Sequence, residues 1–245
     1  MTVHFIGAGP GAADLLTLRA VDLIKRSQVC LYAGTYIDAE ILRHCPDGAE
    51  LIDTQHLDLN QIVDHLAAAH RRGSEVARLC SGDPSLYSAL AEQTRRLDRL
   101  QVPWDVTPGV PAYAAAAALI GRELTVPEVA QTVILTRTSA ASTAMPETES
   151  LSYLAATRAT LVLHLAIRRT RALAAELSLS YGADCPVVVV ADATKPTQRV
   201  LRGTLDDIAD AVEQAGLRQA AVIMVGEALR SENFVESHLY GVRSR

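Results

Sequence analysis

The 245-residue chain has no long apolar run: its longest, residues 112–120, is far too short to cross a bilayer, so no membrane association is expected. Met1-Thr2-Val3-His4-Phe5-Ile6 enters a strand-like pattern at once and lacks the basic-then-apolar pattern of a leader, so the expected location is the cytoplasm. Cysteine is sparse and scattered. Cys30, Cys45, Cys80 and Cys185 form no Cys-x-x-Cys pair, which argues against a zinc cage, a disulfide framework or any other metal site. Positive charge is short too: 23 Lys and Arg stand against 28 Asp and Glu, a net charge of −5. A nucleic-acid partner, which needs a basic face, is not expected. Lysine is nearly missing, with only Lys25 and Lys195, so arginine supplies the other 21 of the 23 cationic residues (23 less 2). The planar guanidinium fork suits carboxylate ligands, although a GC-rich genome gives the same bias.

What is present describes a soluble globular protein, with 49% hydrophobic and 21% charged residues in one large domain or two smaller ones. Short β-prone segments at 3–6, 29–32, 50–53, 75–79 and 104–107 read as strands, and helical patterns at 15–26, 37–44, 60–72 and 85–100 separate them. Such alternation predicts a mostly parallel sheet with right-handed crossovers. Thr107-Pro108-Gly109-Val110-Pro111 breaks it, and an Ala-rich helix follows, so the domains are expected to be 1–111 and 112–245. Beyond that break, β-prone runs lie at 132–136, 160–165, 187–191 and 221–225, with helices near 168–178 and 206–215. A further strand at 200–204, after a turn at Lys195-Pro196, would make the second sheet mixed. Residues 139–152, rich in Ser, Thr, Ala and Pro, are expected to form a mobile surface loop.

Two loops carry most of the chemical information: Gly7-Ala8-Gly9-Pro10-Gly11 and Cys80-Ser81-Gly82-Asp83-Pro84-Ser85-Leu86-Tyr87. Each follows an apolar strand and precedes a helical pattern, which puts both at the carboxyl edge of one sheet, where open α/β folds bind ligands. The first fits Gly-x-Gly-x-x-Ala, but a dinucleotide site wants an acidic residue closing the second strand. That strand ends in Tyr32-Ala33-Gly34. A nucleotide cofactor and a tight turn without a ligand both remain open from this motif alone.

Taken together, the ordered segments resemble the tetrapyrrole methylase family, the class III S-adenosylmethionine-dependent methyltransferases of cobalamin and sirohaem biosynthesis. The segments are the first loop with Asp14-Leu15-Leu16-Thr17, then Tyr32-Ala33-Gly34, Ser81 to Tyr87, and Thr107 to Ala112. They continue with Ala191-Asp192-Ala193-Thr194-Lys195-Pro196 with Gln198-Arg199, and Val225-Gly226-Glu227-Ala228. Within the family, Gly121-Arg122-Glu123-Leu124-Thr125-Val126-Pro127-Glu128-Val129 and Gln131 to Arg137 are most similar to the branch that methylates C11 of a contracting corrin ring.

The resemblance implies two α/β domains, a homodimer, S-adenosylmethionine as cosubstrate in the cleft between the domains, and a tetrapyrrole (precorrin) substrate. The cobalt-loaded form of that substrate and an RNA methyltransferase on the same fold are the alternatives. It also implies cofactor contacts at Pro10, Ser81, Gly82, Asp83, Leu86, Pro111, Ala112, Leu165, Ala166, Ala193 and Ala221. Three positions depart from the family's habit. Ser81 stands where glycine is common, Pro111 where Ser or Thr is, and Leu165 where Met is.

These residue types suit the ligand, which has no phosphate and needs main-chain donors and acceptors beside an apolar wall. Asp83 reads either as a ligand contact or as the cap of a helix beginning at Pro84 or Ser85. Arg78, Arg122, Arg137 and Arg168, near expected strand ends or the hinge, are candidates for the substrate's carboxylates. His56 and His164 are possible proton acceptors or ordinary structural histidines. Tyr87, beside the Gly-Asp-Pro turn, is the candidate catalytic side chain.

Overall fold

The computed structural model describes residues 1–138, 144–230, 232 and 234–235, in two compact units, Met1–Ala115 and Ala116–Arg245. In the first, β1 (Val3–Gly7), β2 (Val29–Tyr32), β3 (Glu50–Asp53), β4 (Val76–Cys80) and β5 (Trp104–Thr107) form a sheet in the order β3-β2-β4-β1-β5. Every neighbouring pair is parallel. β1 and β4 are buried along their whole length, as strands covered on both faces must be.

Alternation along the strands assigns one side chain set to each layer. Val3, Phe5, Val29, Leu31, Val76 and Cys80 pack with α3 (Leu59–Arg71) and α4 (Leu90–Arg99). Ile6, Cys30, Ala77 and Leu79 pack with α1 (Leu18–Arg26) and α2 (Ala39–Leu42). The helix starts have local chemical causes. Thr17 Oγ1 accepts from Ala20 N at 3.1 Å to open α1. Asp58 and Gln61 form a reciprocal capping box at α3, 2.9 Å in both directions.

α5 (Ala112–Ile120) runs across the boundary between the units. The second unit holds β6 (Val133–Arg137), α6 (Leu151–Ala155), β7 (Thr160–His164), α7 (Thr170–Tyr181), β8 (Pro186–Ala191), β9 (Arg199–Thr204), α8 (Ile208–Gln214) and β10 (Ala221–Val225). Its sheet order is β6-β7-β10-β8-β9. β6 and β7 are parallel, and the other three pairings are antiparallel. The carboxyl ends of β6, β7 and β8 therefore share one rim with the amino ends of β9 and β10. Leu161, Leu163, Val187, Val189, Ile223 and Val225 bury one face against α7 and α8. No helix among the described residues is long and apolar enough to cross a membrane.

Two expectations need correction. The helix expected over 85–100 begins only at Leu90, because Tyr87 and Ala89 take left-handed backbone conformations, φ +54° and +55°, that interrupt any helix. The loop expected over 139–152 is not all loop: a 3₁₀ turn at Glu147–Glu149 leads into α6 at Leu151, while 139–143 lie outside the described residues.

Candidate active site

At the carboxyl rim of the first sheet, three loops meet backbone against backbone. Gly9 N donates to Gly82 O at 3.2 Å, and Gly82 N donates to Gly9 O at 2.8 Å, so the loops after β1 and β4 pair like a short piece of antiparallel sheet. The loop after β5 closes on both. A Cβ on Gly7 would lie 2.3 Å from Gly109 N, and one on Gly109 would lie 2.3 Å from Gly82 O. These glycines are required by contact between loops. Gly9 and Gly82 add φ values of +72° and +67°, which turn their peptide groups out of the strand direction.

Asp83 locks this arrangement. Its Oδ2 accepts from Gly109 N at 2.8 Å, and its Oδ1 accepts from Ser85 N at 2.8 Å and from the Ser85 hydroxyl. Burial works against the charged carboxylate, but the bonds from the Ser85 hydroxyl, Gly109 N–H and Ser85 N–H together hold its pKa below the usual carboxylate value. The Asp83 bonds thus go to the loops themselves, and the turn they cap precedes α4 instead of starting it. Around this knot lie buried Pro10, exposed Ser81, half-buried Leu86, and Pro111 and Ala112 at the start of α5. Tyr87 is 45% exposed on the same loop.

The rim of the second sheet is built differently. β7 ends at His164, and Leu165 follows with φ +54° and 68% of its surface exposed. Ala166 and Ala193 are buried beside it, and Ala221 opens β10 in register with Ala191 at the end of β8. Asp192 N donates to Ala220 O at 2.9 Å, fastening the β8 exit to the β10 entry. Asp192, Thr194 and Ala220 share the left-handed conformation, φ +48°, +67° and +51°. Four strained non-glycine residues on one rim mark a place where backbone geometry is held against local preference. All four second-unit positions expected to touch a cofactor lie on this rim. The strain was not legible in the sequence, because Leu, Thr and Ala carry no left-handed signature.

The arginines separate into different roles. Arg78 does not reach a rim: it lies inside β4, 8% exposed, with Nε donating to Gln93 Oε1 at 3.1 Å and Nη1 to Thr54 Oγ1 at 3.4 Å. The expectation that it meets a substrate carboxylate is corrected, since its guanidinium is spent inside the α3–α4 layer, where burial pulls its pKa down. Arg122 pairs with Glu232 at 3.6 Å. Arg137, at the end of β6, donates to Thr138 O at 3.1 Å and Ala144 O at 3.4 Å. Arg168 stands three residues beyond Leu165, its Nε donating to Arg218 O at 3.0 Å. His164, in register with Arg137, has its pKa lowered by burial. His56 is exposed in the turn after β3. No cluster of three or more metal-ligating side chains exists among the described residues.

The family model for Tetrapyrrole (Corrin/Porphyrin) Methylases matches residues 2–209. The chain is a tetrapyrrole methylase. It is 55% identical to the precorrin-4 C(11)-methyltransferase of Rhodococcus erythropolis over 240 residues, 98% of this chain and 96% of the relative. A solved cobalt precorrin-4 methyltransferase superposes with a TM-score of 0.90 at 37% identity, covering 93% of this chain and 95% of that one. The uroporphyrin-III C-methyltransferase of Thermus thermophilus, solved with S-adenosylhomocysteine, gives a TM-score of 0.80 at 28% identity, covering 94% and 99%.

The residues of this methylase fit that kind of cofactor. A ligand without phosphate needs main-chain partners and an apolar wall, and both rims supply reoriented peptide groups among Gly, Ala, Pro and Leu.

Proposed function

We propose that this chain methylates C11 of metal-free precorrin-4, giving precorrin-5, with S-adenosylmethionine as methyl donor. The observation that carries the choice within the family is the 55% identity to a precorrin-4 enzyme, against 37% to the cobalt precorrin-4 enzyme, each over more than nine-tenths of the chain.

The cosubstrate, when bound, supplies an electrophilic methyl group on a sulfonium. In the first unit Pro10, Ser81, Gly82, Leu86, Pro111 and Ala112 would offer it main-chain atoms and apolar contact; in the second unit Leu165, Ala166, Ala193 and Ala221 are the residues assigned to it. Asp83 contributes by fixing the turn that aims Ser81 and Gly82. The macrocycle's own π-system makes C11 nucleophilic, so the residues mainly align two molecules and keep water away. Transfer breaks the S–CH₃ bond, forms the C11–CH₃ bond, and releases one proton with the neutral thioether product. Tyr87 is the side chain we assign beside the reacting carbon; Tyr87→Phe should slow single-turnover transfer and leave cofactor affinity unchanged. On the same reading the enzyme is a cytoplasmic homodimer, which sedimentation at single-chain mass would contradict.

The deciding experiment supplies methyl-labelled S-adenosylmethionine with precorrin-4 and with cobalt-precorrin-4, and locates the label by NMR. Label at C11, faster with the metal-free ring, is expected. Label at another carbon, or preference for the cobalt form, overturns the assignment.

A further inference from the structure

A groove of about 850 Å³ opens beside the second rim, between the start of α7 and the end of α8. Its floor is apolar, made by Ile167, Ala172, Val212 and Leu217, and its border is cationic. Arg168 and Arg169 come from the turn that follows β7, Arg171 from the first turn of α7, and Arg218 lines the groove from the segment that leads into β10. The border is not uniform in chemistry. Arg171 is already neutralised: its guanidinium donates to Glu213 at 2.7 and 2.8 Å and to Asp210 at 2.5 Å. No carboxylate among the described residues forms an ion pair with Arg168 or Arg218. These two are instead held together, because Arg168 Nε donates to the backbone carbonyl of Arg218 at 3.0 Å.

This bond fixes the Arg168 guanidinium against the backbone that carries Arg218, without using either charge. Arg168 lies three residues after Leu165 and Arg218 three before Ala221, so the groove is continuous in sequence and position with both strand ends of the rim. A cationic pair, one member of it held in place, over an apolar floor complements an amphiphilic molecule: a flat hydrophobic body with carboxylates along its edge. The volume suits a ligand larger than a simple anion, since small-molecule sites are commonly about 300–1,000 Å³.

We propose that this groove seats the carboxylate-bearing edge of the tetrapyrrole, with Arg168 and Arg218 as its clamp. The inference rests on the reading of the chain as a methylase of a polycarboxylated tetrapyrrole, and it adds Arg218 and the apolar floor to that reading. Arg171 acts as a brace that holds α7 to α8 and shapes the groove.

The probe is uroporphyrin III, a stable, multiply carboxylated ring, titrated into the full chain by fluorescence; S-adenosylhomocysteine binding is followed separately by calorimetry. Arg168→Gln with Arg218→Gln should weaken porphyrin binding by about tenfold or more, with S-adenosylhomocysteine affinity within about twofold of the parent. Arg168→Lys with Arg218→Lys, which keeps charge but loses the planar fork, should fall between. Citrate at matched carboxylate concentration should not displace the porphyrin. Parent-like porphyrin binding by the Gln pair, no porphyrin binding by the parent chain, or ready displacement by citrate would each overturn the clamp. Failure of the parent to transfer methyl to any tetrapyrrole, with porphyrin still held through these arginines, would instead overturn the proposed reaction. A thermal melt separates lost binding from lost folding, and a Gln pair that unfolds is replaced by the Lys pair as the deciding variant.

Discussion

The two rims of this methylase reach ligand-compatible backbone geometry by opposite routes. In the first unit, an all-parallel sheet ends in loops that bond to one another, and glycine occupies the positions where those loops meet, Gly7, Gly9, Gly82 and Gly109, while Tyr87 and Ala89 turn left-handed farther along the loop after β4. In the second, a mixed sheet ends in Leu165, Asp192, Thr194 and Ala220, which take positive φ without being glycine. Where its loops meet, the first rim is relaxed and tightly interlocked; the second is strained at the strand ends themselves and carries an exposed leucine. A left-handed non-glycine residue costs on the order of 1–2 kcal/mol, so the second rim gives up stability at its strand ends that the glycines save where the first rim's loops meet. Each rim should therefore respond differently to changes at its turning points.

The largest effect is expected from Gly109→Ala. The new methyl group would fall 2.3 Å from Gly82 O and 2.8 Å from Gly7, all of it backbone with nowhere to retreat. Loss of about 2–4 kcal/mol in chemical denaturation is expected, with S-adenosylhomocysteine binding abolished. A near-neutral outcome would show that the loops are not interlocked.

Asp83→Ala should cost about 2 kcal/mol at neutral pH, since it removes the acceptor of two backbone N–H groups. The pH dependence has a definite sign. The Asp83 pKa is lowered on folding, so its contribution is present above the unfolded carboxylate value and is lost as pH falls through the folded one. Stability curves of parent and variant should converge in acid. A constant gap down to the lowest pH would mean that the charged carboxylate is not what ties the loops.

Leu165→Gly gives the smallest change and the opposite sign. Relief of positive φ at a side chain 68% exposed should stabilise the second unit by about 0.5–1 kcal/mol while weakening cofactor binding. Destabilisation would mean that the leucine belongs to the core and not to a ligand wall.

Much of this was legible in the chain. The strands at 29–32, 50–53, 104–107 and 221–225 coincide with β2, β3, β5 and β10, because short apolar runs bounded by Gly, Pro or charge have few other uses. The ordered motifs named the family. Harder to read was anything set by contact at a distance. Arg78 sits in an otherwise apolar strand, and only Gln93, itself 1% exposed on α4, explains how its guanidinium is satisfied. Ser85 to Ala89 have acceptable helix propensities, yet Tyr87 and Ala89 turn left-handed, which no local pattern announces. Gly109 reads as an ordinary Pro-Gly turn, although its missing side chain is demanded by loops far away in sequence. Arg218 lies in a polar connection, and its place opposite Arg168 comes from the strand order.

The reversed direction of β10 has a further mechanical result. β10 enters the rim where β8 leaves it, so the Asp192 N–H finds the Ala220 carbonyl across the gap and the two left-handed turns brace one another. Had β10 run parallel to β8, the exit of β8 would have stood beside another exit, without this entry turn to accept its amide.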